Sequence, residues 1–119
     1  MADPTLIQGF LSGGVQVSPS AGQVFAIMCA CAPGQIRNVV AASRSGVGGT
    51  STILDLRNNG VSIWTDPTHR PALAAGATGR FVGYIPDHRA VRIGDVLSLV
   101  VVQAGGHADI AMTAALEQP

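Results

Sequence analysis

The sequence predicts an all-β protein, a single antiparallel β-sandwich of jelly-roll-like form with about eight short strands. Three observations carry this expectation. Short apolar, β-rich runs recur along the chain, separated by Gly- or Pro-rich turns about every ten residues. No segment carries a convincing amphipathic helical period. Asn59-Gly60 also stands between two alternating arms, and a two-residue type I′ turn needs positive φ at both centres, which Asn and Gly tolerate best.

Residues 1–14 read as an N-terminal arm, followed by a sandwich domain over residues 15–119. Leu6, Ile7, Phe10 and Leu11 make the arm apolar, while Pro4, Gly9, Gly13 and Gly14 argue against a long regular element. Such an arm either packs back on its own fold or reaches a neighbouring subunit. Residues 15–18 form a brief alternating strand ended by Pro19. The run Val24-Phe-Ala-Ile-Met-Cys-Ala-Cys31 is almost wholly apolar and stops at Pro33-Gly34, which fits a strand buried on both faces; periodicity alone also allows a short helix. A further strand is expected over residues 34–43, then a flexible loop over 44–49.

The central hairpin follows over residues 51–65. Leu54 and Leu56 alternate with Ile53, Asp55 and Arg57, and Val61 and Ile63 alternate with Ser62 and Trp64, so each arm offers one mostly apolar face that needs a second sheet to cover it. Residues 65–76 contain two prolines and read as an ordered crossing loop. A short strand over 80–85 and a turn at 86–89 lead to Ile93-Gly-Asp-Val96. The run Val96-Leu-Ser-Leu-Val-Val-Val102 is apolar on both faces and belongs in mid-sheet. Gly105-Gly106 turns the chain into a last strand, with Ile110, Met112, Ala114 and Leu116 facing one way and Ala111, Thr113, Ala115 and Glu117 the other.

With 119 residues the chain makes one domain, able to bury roughly two-thirds of its extended surface. Charged residues are 12% of the chain, about half the usual share, so the polar surface must come from Ser, Thr, Gln, Asn and backbone and is suited to being covered. The seven basic residues are all Arg and are scattered, which argues against nucleic-acid binding. No run has the ~18 apolar residues of a membrane span, and Met1-Ala-Asp-Pro lacks a secretory pattern, so folding in a cytoplasm is expected. Cys29 and Cys31 lie two apart on one strand face, where they read as small buried hydrophobes rather than as a strained disulfide or half of a zinc site.

Candidate chemistry is sparse. His69, His88 and His107 fall in predicted loops or turns as solvated side chains, and only a fold that gathered them with Asp66 or Asp87 would make a metal or catalytic site. No Gly-x-Ser-x-Gly elbow is present, and the Gly-Gly pairs at 13–14 and 48–49 lack the Lys and helix start of a phosphate loop. No catalytic residue, metal or cofactor is therefore expected. Trp64, Phe81 and Tyr84 are candidates for a sugar-stacking platform, although aromatics are only 4% of the chain and Trp64 is expected in the core or an interface. Asp95 reads as a turn residue whose carboxylate accepts local N–H groups at a strand entrance.

Two segments together resemble a small β-sandwich module of tailed-bacteriophage structural proteins. The first is Leu54-Asp-Leu-Arg-Asn-Asn-Gly-Val-Ser-Ile-Trp-Thr65 with Arg70-Pro-Ala-Leu-Ala-Ala-Gly76; the second is Ile93-Gly-Asp-Val-Leu-Ser-Leu-Val-Val-Val-Gln-Ala-Gly105 with Ala108-Asp-Ile-Ala-Met-Thr-Ala-Ala-Leu-Glu117. The resemblance covers about residues 34–117 and implies a capsid decoration (cement) protein, or a tail-fibre module, with no catalytic residues. It implies a virion protein on the head surface, made in the bacterial host cytoplasm, whose partners are the major capsid protein and copies of itself, a trimer favoured. The expected contacts are Leu6, Ile7 and Phe10 of the arm, and His69 and Arg70 of the crossing loop. The alternative is a fibre or spike module that binds a host-surface glycan through Trp64 and Tyr84.

Overall fold

The structure, a computed structural model, describes residues 7–15, 20–30, 33–46, 50–75, 79–82, 84 and 86–117. Among the described residues ten strands form two antiparallel sheets: β1 (Ile7–Val15), β2 (Val24–Cys29), β3 (Gly34–Gly46), β4 (Thr52–Asn58), β5 (Val61–Ser62), β6 (Ala72–Leu73), β7 (Gly79–Val82), β8 (Ala90–Val91), β9 (Val96–Gln103) and β10 (His107–Glu117). The first sheet has the order β1-β10-β3-β7, with β8 also on β3; the second has β2-β9-β4-β5, with β6 also on β4. Counting β5 with β6 and β7 with β8 as two broken strands leaves the eight expected positions. Their sheet orders, first–eighth–third–sixth and second–seventh–fourth–fifth, are consistent with a jelly roll.

One apolar cluster fills the space between the sheets. Ile36, Val39, Ala41, Ile110, Met112 and Ala114 come from the first sheet, and Leu54, Leu56, Leu97, Leu99 and Val101 from the second. The alternation of β10 is as the sequence predicts through Ala114. In β3 the inward phase shifts between Ile36 and Val39, because the register with β10 slips there and leaves Arg37 and Asn38 both exposed. β9 lies in mid-sheet between β2 and β4. Its Val100, on the outer face, is still 2% exposed.

The Asn59-Gly60 turn has φ of 52° and 86°, and it pairs Asn58 with Val61 and Arg57 with Ser62. Beyond Ser62 the alternation breaks: Ile63 and Trp64, neighbours in sequence, are both buried, while Val61 at the tip is 64% exposed and does not share Ile63's apolar environment. The cause is the shortness of β5. The Ile63 N–H still donates to the Leu56 carbonyl at 3.1 Å, but the Ile63 carbonyl accepts the N–H groups of Asp87 and His88, both at 3.0 Å, instead of a ladder partner, and the chain leaves the sheet there.

Five expectations are corrected. Residues 7–15 are a full strand hydrogen-bonded to β10, from Ile7 opposite Glu117 to Val15 opposite Ile110, with a register shift between Phe10 and Ser12 absorbing the irregularity. The described part of the predicted arm is therefore sheet, packed on its own fold as one of the two alternatives had it; of residues 15–18, where a separate strand was expected, Val15 ends β1 and 16–18 lie outside the described residues. The run from Val24 is an edge strand paired by β9 on one side, and it is not buried on both faces: Val24 is 54% and Ile27 69% exposed. Cys29 is exposed, since it stands opposite Val96 on the outer face of the sheet; Cys31 lies outside the described residues. His107 is fully buried at the start of β10 rather than solvated in a turn. The expected flexible loop after residue 43 also begins later, because β3 runs on to Gly46.

Candidate interaction surface

The crossing loop and Tyr84 together present an exposed aromatic feature. Asp66 caps a single 3-10 turn, Pro67–His69, by accepting the Thr68 N–H at 2.9 Å and its hydroxyl at 2.7 Å. That turn lifts His69 so that its ring stacks on Tyr84, with centroids 4.5 Å apart and planes 25° apart. The imidazole is 3.6 Å from the Asp66 carboxylate. Tyr84 is 56% exposed. Beneath the pair, Asp87 accepts the Thr65 N–H at 2.8 Å and its hydroxyl at 2.7 Å. An open groove of about 360 Å³ beside it is lined by Gln35, Asp87, His88, Arg89 and Ala90.

These hydrogen bonds set the charges of the patch. The Thr68 hydroxyl, then its N–H, hold the Asp66 carboxyl below its ordinary value, and the Thr65 hydroxyl and N–H do the same for Asp87. Both are carboxylates at neutral pH. With their lone pairs engaged by threonines they act as fixed acceptors that stiffen the loop. Among the described residues no group of three His, Cys, Asp or Glu is placed to hold a metal ion.

The predicted contact residues separate. His69 and Tyr84 come together, although they were assigned to different readings. Trp64, paired with Tyr84 in the glycan reading, is 1% exposed and cannot stack on a sugar; its indole N–H donates to the Tyr84 carbonyl at 3.0 Å and so holds the exposed tyrosine from below. Arg70 turns inward, its Nε 3.6 Å from Asp55 Oδ1 and without a hydrogen-bond partner. Ile7 and Phe10 are in β1, opposite Glu117 and Ala114. Leu6 lies outside the described residues, as does Tyr84's neighbour at 85.

Two buried polar clusters escape a reading of the sequence. Asp55 is fully buried on the outer face of β4, where Ser62 donates to it at 2.7 Å and Arg57 at 3.0 Å. The spacing of Asp55 and Arg57, two apart on one strand face, was the available signal. Thr52, Gly105 and His107 form the second. Ala74 C=O can only accept, so His107 Nε2 carries the proton toward it at 2.8 Å; Nδ1 then accepts the Thr52 hydroxyl at 2.6 Å, and that oxygen accepts the Gly105 N–H at 2.9 Å. Nothing local in the sequence marks this cluster.

Asp95 behaves as a turn residue and does more. Its carboxylate accepts the Arg92 N–H at 2.9 Å and reaches across to the side chains of Asn58 and Asn59, both at 3.0 Å. The Arg92 N–H, then Asn58, hold its pKa below the ordinary carboxylate value. No known family matches this chain, and no curated protein matches it either.

Proposed function

We propose that the protein is a virion structural protein of a tailed phage, a decoration protein that binds the assembled head and bridges neighbouring capsid subunits. One observation carries this reading beyond the resemblance of separate segments. Three of the four segments that bear the resemblance bond to one another, Asp95 to the Asn58 and Asn59 side chains and the Leu54 N–H to the Pro71 carbonyl at 2.8 Å, and His107, just before the fourth, bonds to the Ala74 carbonyl of the second. They behave as parts of one module rather than as unrelated turns. A ligand that binds only assembled shell stabilises it by RT ln(1 + [L]/Kd) per site, so the role needs no catalytic residue and no cofactor.

The surface of the reading is the His69–Tyr84 stack with Asp66 and Asp87, an exposed aromatic rimmed by polar groups, as protein interfaces favour. The same exposed stack favours a second reading, a fibre or spike module that stacks a host glycan on Tyr84. Immunogold labelling of source particles with antibody against this chain separates the two. Dense labelling over the head is expected; labelling confined to the tail tip supports the glycan module, and no labelling of particles rejects both.

A further inference from the structure

The two sides of the sandwich differ in how their sheet edges are guarded. On one side the sheets end in β5, β6, β7 and β8, pieces of two to four residues, and the chain over 61–91 that forms them carries Asp66, Arg70, Arg80, Asp87 and Arg89. Short strands and charges of this kind are what keep edges from pairing with other chains. On the other side the edges are β1 and β2, which lie against each other. These are nine and six residues long and contain no charged residue and no proline. From residue 4 to residue 36 the chain has no Asp, Glu, Lys, Arg or His at all.

β2 is the edge whose outer face is described at Ile27 and Cys29. Ala30, just past its end, spends its N–H on the Asp95 carbonyl and its C=O on the Gly94 N–H, both at 2.8 Å. Period two therefore turns the backbone N–H and C=O of Cys29 and Ile27 away from β9, toward the open side. On the outer face of the sheet Ile27, 69% exposed, stands opposite Ser98, and Cys29 opposite Val96, itself 38% exposed. Among the described residues no strand pairs β2 on that side, and an unpaired row of backbone groups beside an uncharged apolar stripe fits one kind of partner, another uncharged extended strand.

We propose that β2 pairs antiparallel with β2 of a second copy, extending the second sheet across a two-fold axis into a homodimer. A second copy meets every requirement of the edge: strand length, absence of charge and an apolar outer face. The interface is isologous, so each chain contributes the same stripe and the assembly closes at two. The pair departs from the three-fold arrangement that the phage resemblance implies, and it stands on the edge chemistry independently of the virion reading.

The test is the mass of the full chain by sedimentation velocity, with reductant present so that a Cys29 disulfide is not read as a dimer. The unmodified protein is expected to sediment as two chains. Ile27→Lys places a charge on the stripe of each copy and is expected to give one chain with an unchanged circular dichroism spectrum and melting temperature. Val61→Lys, at an equally exposed apolar position on the hairpin tip, is expected to remain two chains. A single-chain or three-chain mass for the unmodified protein, or an Ile27→Lys protein that still pairs, overturns the proposal.

Discussion

Thr52 is where a single atom has the largest reach. Its hydroxyl is donor to His107 and acceptor from Gly105, and both partners are buried, so losing it strands two polar groups without access to water. Thr52→Val keeps the shape and removes only this oxygen. Each stranded buried group costs about 1–3 kcal/mol, so the variant is expected to lose about 3 kcal/mol of stability by urea unfolding. A loss under ~1 kcal/mol would mean that water replaces the hydroxyl. Asp55 is a similar case, since its burial is tolerated only because Ser62 and Arg57 satisfy it.

Among the elements, the β9–β10 connection depends on a close approach. Gly105 packs against the backbone of the strand entry at residues 50–51: an added Cβ would collide with the Thr50 carbonyl oxygen and stand 2.7 Å from the Ser51 carbonyl carbon and oxygen. Those are backbone atoms that cannot rotate aside. Gly105→Ala therefore has to displace the start of β4 and, with it, the Thr52–His107 bond. Overpacking of this kind costs about 1–3 kcal/mol or more, and a destabilisation at the upper end is expected by thermal unfolding. Gly60→Ala serves as the contrast. It meets no atom within 4 Å but sits at a φ of 86°, so its effect is expected to be the smaller conformational one.

For the molecule as a whole, acid is the informative variable. Asp66, Asp87 and Asp95 all have pKa values below the ordinary carboxylate value because the folded chain donates hydrogen bonds to their ionised forms. The unfolded chain therefore takes up these protons first, and stability rises with pH wherever it does so. The contribution is fully present above the ordinary carboxylate range and is lost as pH falls below about 4. Urea midpoints are expected to be flat between pH 5 and pH 7, on this account, and to drop toward pH 3; a midpoint unchanged at pH 3 would show that these bonds do not stabilise the fold. All three carboxylates lie where the crossing loop, the 86–89 turn and the hairpin tip are tied to the sandwich, so acid is expected to loosen the His69–Tyr84 surface along with the global fold.

The local pattern was enough for the all-β class, the Asn59-Gly60 hairpin, the mid-sheet placement of β9, the inward face of β10 and the turn role of Asp95. Each follows from alternation, β-branching or φ preference, which act between near neighbours. What the local pattern left open was how far each apolar run is covered. Val24-Phe-Ala-Ile-Met-Cys29 reads the same whether a strand lies on one side of it or both, and only the sheet order made it an edge. Trp64 is in the core, one of the two places the sequence assigned it, but nothing local marked Tyr84 as the exposed ring that His69 stacks on. The Thr52–His107 cluster joins residues 55 apart, and Asp95 meets Asn58 across 37. Pairings at such separations depend on strand order and sheet packing, which one-dimensional periodicity does not encode, so the sequence by itself determined the strands and the tertiary structure decided which of their faces meet solvent.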